Sequence, residues 1–166
     1  MNFQFYVEKL KSSENYKKFL KENPKTYPCS GFFVIDKDGK DNKQHFDFFL
    51  PKKKEIFSFQ LEQGNLVPIE TIDKRIPEKI SLDINFDFKE IEKIIENKMQ
   101  EQSIKNKIQK FLFSFQKKDN KHFLIGTIFV SMLGIIKIQI EVPGKKIIAF
   151  EKKSFFDMLK IMKKKG

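Results

Sequence analysis

The chain has no tryptophan, one cysteine, seven glycines and, among its 33 basic residues, one arginine. A lone cysteine, Cys29, excludes an intramolecular disulfide and any cysteine-based zinc cluster, and a reducing cytoplasm is the expected setting. With Arg75 the sole arginine, bidentate readout of guanine or phosphate is not expected, because lysine acts as a point charge where guanidinium acts as a planar fork. The longest uncharged run, Phe123 to Ile136, falls short of the roughly 20 residues a membrane-spanning helix needs. Gly126, Gly134 and their β-branched neighbours make it read as buried strand and turn. The opening MNFQFYVEKLKSSE lacks the basic start, apolar stretch and small-residue cleavage site of a secretory leader. Neither G-x-x-x-x-G-K-[ST] nor G-x-G-x-x-G occurs, so no nucleotide loop is expected and no cofactor is implied.

What is present is phenylalanine and lysine. Twenty Phe and 40 % hydrophobic residues are enough for a real core. The net charge of +11 is unevenly placed. Residues 1–80 carry 15 basic and 12 acidic residues, and residues 81–166 carry 18 and 10.

The chain also says nearly the same thing twice. KDNKQHF at 40–46 returns as KDNKHF at 118–123. GFFVIDKDG (31–39) and KFLFSFQKK (110–118) precede the two copies. EIFSFQLEQGNLVPIE (55–70) and GIIKIQIEVPGKKIIAFE (134–151) follow them. Further upstream, ENYKKFLKEN (14–23) matches EIEKIIENK (90–98), with Tyr16, Phe19 and Leu20 falling on Ile91, Ile94 and Ile95. That spacing is the apolar stripe of an amphipathic helix, and Ser13 and Asp87 stand where N-caps belong.

Each half therefore reads helix, strand, strand, strand, strand. The first half has a helix over 13–22 and strands near 30–36, 44–50, 55–62 and 66–70. The second has a helix over 88–101 and strands near 107–117, 122–130, 134–142 and 146–150. Asp, Asn, Gly and Pro at the joints are turn chemistry, which makes KDNK the tip of the first hairpin in each half. FQFYVEKL at the start fits a short helix or an edge strand, and a last helix is expected over 154–163 with Phe155, Leu159 and Met162 on one face. The fold class is α+β: an internal duplication of an αββββ unit with antiparallel sheets and a C-terminal helix. The repeats run over 1–80 and 81–166 and form one compact unit.

Alternation shows which strands have a wet side. Phe57, Phe59 and Leu61 oppose Ser58, Gln60 and Glu62, and Phe111, Phe113 and Phe115 oppose Lys110, Ser114 and Gln116. Residues 123–130 break the rule: Phe123, Ile125 and Phe129 share one face, and Leu124, Ile128 and Val130 the other. Both sides need cover, from the other half, a terminal helix, or a second copy in a homodimer.

A helix followed by a curled antiparallel sheet, ending in a hairpin such as IKIQIEVPGKKIIAFE, resembles the PepSY-like, cystatin-like family. The resemblance covers each half. It implies a non-catalytic binding or inhibitory module and no catalytic residues.

Candidate chemistry is sparse. His45 and His122 follow the two KDNK tips and could share a metal near an axis relating the halves, but no third or fourth ligand is in view and none is expected. DKDGKDN (36–42) has its glycine fourth, not sixth as a calcium loop requires, and reads as a polar turn. Cys29 lacks a visible base, so it reads as a small half-buried residue.

Basic clusters remain: Lys52, Lys53 and Lys54 in one turn, Lys152 and Lys153, and Lys160, Lys163, Lys164 and Lys165 at the end of the chain. They suit phosphates through sequence-independent attraction. The primary expectation is a non-enzymatic cytoplasmic module for a protein or peptide partner. The alternative is a basic accessory protein on RNA, DNA or the ribosome.

Overall fold

The computed structural model describes residues 1–69, 75–154, 159 and 163. Two helices open the chain, α1 (Phe3–Lys11) and α2 (Glu14–Glu22), and a third, α3 (Phe88–Glu101), lies mid-chain. The strands are β1 (Tyr27–Asp36), β2 (Lys43–Leu50), β3 (Glu55–Gln60) and β4 (Asn65–Ile69), then β5 (Ile108–Lys118), β6 (Lys121–Val130), β7 (Gly134–Val142) and β8 (Lys146–Ser154). All pairings are antiparallel within one eight-stranded sheet of order β4-β3-β2-β1-β5-β6-β7-β8. Each run of four is a meander, and the two meet through their first strands.

Local chemistry fixes the ends of the helices. The Ser13 side chain accepts from Tyr16 N–H, and Asp87 accepts from Lys89 N–H, so both expected N-caps are in place. FQFYVEKL is helical because Asn2 caps it, accepting from Phe5 N–H at 2.8 Å. Four apolar residues at helical spacing, Phe3, Tyr6, Val7 and Leu10, then face inward. Phe3 is the hub of the aromatic core, with ring centroids 4.8–6.0 Å from Phe115, Phe86, Phe46 and Phe33. Burial of each such ring stabilises the fold by about 1.5–3 kcal/mol.

All three helices contribute buried side chains to one core, with the inward residues of the sheet: Phe33, Phe46, Phe59, Phe113, Phe115, Leu124, Ile138 and their neighbours. Helices α1, α2 and α3 all lie on this side, and the opposite face, free of these three, is the helix-free face, on which Val34 and Phe49 are nonetheless buried. Two expectations meet the structure differently. Strand β8 runs on through Ser154, past the expected strand end, and Ser154 is paired with Gly134 in the ladder. Apart from Leu159 and Lys163, the expected C-terminal helix lies outside the described residues. KDNK does occupy the tip between the first two strands of each half. Because β1 and β5 run antiparallel, however, the tips point to opposite ends of the sheet.

Candidate interaction face

The helix-free face can be followed strand by strand from the register. One row runs Gln60–His45–Phe32–Ser114–Ile125–Gln139, and the next runs Ser58–Asp47–Ser30–Gln116–Phe123–Glu141. In the first half this face holds a tied polar network beside the apolar Phe32, Val34 and Phe49. Ser30 Oγ donates to Asp47 Oδ2 at 2.8 Å, and Gln60 Nε2 donates to Ser58 Oγ at 3.0 Å. His45 Nδ1 lies 2.9 Å from both Asp47 Oδ1 and Ser58 Oγ, and its ring stacks on Phe32 at 5.0 Å. Serine, histidine and aspartate in contact invite comparison with a nucleophilic relay. A relay needs serine and carboxylate on opposite ring nitrogens, and here both share Nδ1. Ser58 is also 2 % exposed. The cluster pins side chains to the sheet; it does not activate one.

In the second half an apolar stripe runs along β6 on the same face, between mostly polar neighbours on β5 and β7. The outward residues of β6 are Phe123, Ile125, Thr127 and Phe129, with Leu112 on β5 and Ile135 on β7 as their neighbours. Ile125, at the middle of this stripe, is 42 % exposed. The sequence signal for it was the double-sided run at 123–130; the polar network gave none, because Ser30, Asp47 and Ser58 come from three separate strands.

Three lysines of this face are paired. Asp41 takes both Lys110 (2.9 Å) and Lys43 (3.3 Å), and these bonds hold its carboxyl below the usual range. Lys153 pairs with Glu151. The edges of the sheet are guarded in two ways. Strand β4 is five residues long and contains Pro68; β8 carries a bulge opposite Gln139 and Ile140 and lysines at both ends.

The expected basic clusters at Lys52–Lys54 and Lys152–Lys153 lie apart. Lys52, Lys53 and Lys54 occupy the β2–β3 turn at the end of the sheet where β1 begins, whereas Lys152 and Lys153 sit at the other end and in the other half. Lys163 is exposed, and Lys160, Lys164 and Lys165 lie outside the described residues. The cause is topological: successive hairpin turns of a meander alternate between its ends.

The two histidines part company as well. His45 is on the helix-free face, while His122 turns toward the helix side, stacking on Phe115 at 5.4 Å and accepting from Ser81 N–H through Nε2 at 3.0 Å. Burial, with Lys117 nearby, lowers the His122 pKa; Glu78 opposes the shift. The 36–42 loop is an internally bonded turn, in which Asp36 Oδ atoms accept from Asp38 and Asp41 N–H. Among the described residues no three His, Cys, Asp or Glu side chains are grouped to hold a metal ion. Cys29 is buried at the β1 bulge, and burial and Asp47 push its thiol up to about 12. A groove of about 820 Å³ beside the apolar stripe is lined by Asp36, Lys37, Lys107, Lys110 and Phe129, without a paired acid and base.

No protein-family model, curated protein or solved structure matches the chain. No described helix is long and apolar enough to cross a membrane.

Proposed function

We propose that the chain is a non-enzymatic, cytoplasmic binding module that takes a segment of another protein on the helix-free face of its second half. The observation that carries this reading is the stripe Phe123–Ile125–Phe129 with Ile135, which points away from the core that α1, α2 and α3 build and has Ile125 42 % exposed at its middle. Such a strip rimmed by polar side chains is the ordinary signature of a protein contact. The guarded edges favour the face over strand addition at β8 or β4. The pairing of Lys43, Lys110 and Lys153 weighs toward a protein over nucleic acid, since these three are already engaged.

The order 4-3-2-1-5-6-7-8, with a helix ahead of each meander, also supports descent of the two halves from one αββββ unit. The PepSY-like resemblance points the same way, toward a module without catalytic residues. On this reading the first copy carries a polar network on its outer face and the second has become the contact surface.

A photo-crosslinking residue placed at Ile125 should trap a protein in cells, and one placed at Lys93, exposed on α3, should not. Phe129→Glu should abolish the first product. Equal yields from both positions would sink the reading. Trapping of RNA alone at Ile125 would transfer it to the basic accessory protein.

A further inference from the structure

The two turns at either end of β6 solve one backbone problem with opposite chemistry. The β5–β6 turn places Asp119 and Asn120 at φ 51° and 64°, the left-handed region that those side chains tolerate best. The β6–β7 turn places Met132 and Leu133 at φ 62° and 56°. Bulky apolar residues rarely adopt that backbone, and here no internal packing repays it: Met132 is 89 % exposed and Leu133 61 %. The turn has its glycine one residue later, at Gly134, where a Cβ would stand 2.6 Å from Val130 Cγ2.

The tip is also held rigidly among lysines. Ser131 N–H donates to Lys107 O at 2.7 Å, and Lys107 N–H donates to Ser131 Oγ at 2.8 Å. Asn106 Nδ2 donates to Ser131 O, and Lys152 Nζ donates to Asn106 Oδ1 at 3.0 Å. Lys105, Lys107 and Lys152 are exposed around the tip, and the acidic neighbour Glu151 pairs with Lys153. The chain leaves β8 at this same end, and FFDMLKIMKKKG follows.

We propose that this end of the sheet docks on an anionic lipid bilayer, with Met132 and Leu133 inserted below the headgroups and Lys105, Lys107 and Lys152 on the phosphates. An apolar plug with a lysine collar combines the two signals that peripheral attachment needs, and neither alone holds. The two lysine-rich stretches that the meander separates are thereby given different standing: Lys152 belongs to this surface and Lys52–Lys54 do not. The surface is distinct from the stripe on β6 and stands without the reading given to that stripe.

The absence of tryptophan supplies the test. In a full-length Met132→Trp variant all indole emission comes from the tip. Vesicles of phosphatidylcholine with roughly a third phosphatidylserine should shift that emission to the blue, and pure phosphatidylcholine should not. Lys105→Glu, Lys107→Glu and Lys152→Glu together should weaken binding at least about tenfold, as should raised salt. A separate Met132→Asn, Leu133→Gly variant keeps the turn and removes the plug; it should stay folded and fail to sediment with the anionic vesicles. Emission unmoved by either vesicle, or equal binding to both, overturns the proposal. Shielding of the same reporter by a protein fraction, with both vesicles inert, would reassign the tip to an apolar pocket on a protein.

Discussion

Replacing Met132 by asparagine and Leu133 by glycine should make the protein more stable. A left-handed backbone costs an ordinary L-residue about 1–2 kcal/mol, a cost that glycine escapes and asparagine largely escapes. Against this, glycine adds roughly 0.5–1 kcal/mol of unfolded-state entropy to be lost on folding. Little packing is given up, since Met132 is almost wholly exposed and Leu133 mostly so. The balance is a gain of about 1–2 kcal/mol. For a chain of this length that is roughly a 2–8 °C rise in Tm. Thermal unfolding followed by circular dichroism measures it. Urea titration should show a higher midpoint with an unchanged slope, the sign that compactness has not altered. A Tm lower than that of the wild type would mean that the two side chains support the fold from the outside. The strained tip would then need no function to explain it.

Three further outcomes follow from the geometry. Gly126→Ala should lower stability by about 1–3 kcal/mol in a urea titration, because its Cβ would stand 2.8 Å from Ile138 Cγ2 and 3.0 Å from Phe113 Cε1; an unchanged midpoint would show slack between the central strands. His122 has a folded pKa below its ordinary 6.5, so as pH falls the unfolded chain takes up the proton first. Its contribution is therefore full above about pH 6.5 and declines below, by at most about 1.4 kcal/mol per pH unit. His122→Gln should flatten the fall in Tm between pH 7 and pH 5, and an equal fall in both proteins would remove His122 from the account. Cys29, buried and with its thiol pushed up to about 12, should stay silent to a thiol reagent at pH 8 until the protein is unfolded; prompt labelling of the native protein would contradict its placement at the bulge.

Most of the fold was legible residue by residue because it rests on local rules. The stripe of Ile91 and Ile95 and the caps Ser13 and Asp87 fixed α2 and α3. Alternation with Asp-Asn and Pro-Gly joints placed the eight strands, and β7 falls where the pattern put it. FQFYVEKL was ambiguous because eight residues of mixed period fit either element until Asn2 capped them and the Phe3 ring found four partners. The end of β8 was misjudged because the pairing that carries it on to Ser154, opposite Gly134, is a tertiary fact.

By itself, then, the sequence determined the α+β class and the turns, which depend on neighbours along the chain. Only the tertiary structure decided that the halves share one sheet, that they meet through β1 and β5, and which lysines are neighbours. Those are outcomes of strand order, and an antiparallel meander sends successive turns to opposite ends. The same order parted His45 from His122 and gathered Ser30, Asp47 and Ser58 from three strands into one network. It also set Met132 and Leu133 among Lys105, Lys107 and Lys152, a grouping distributed over three stretches of chain and visible in none of them alone.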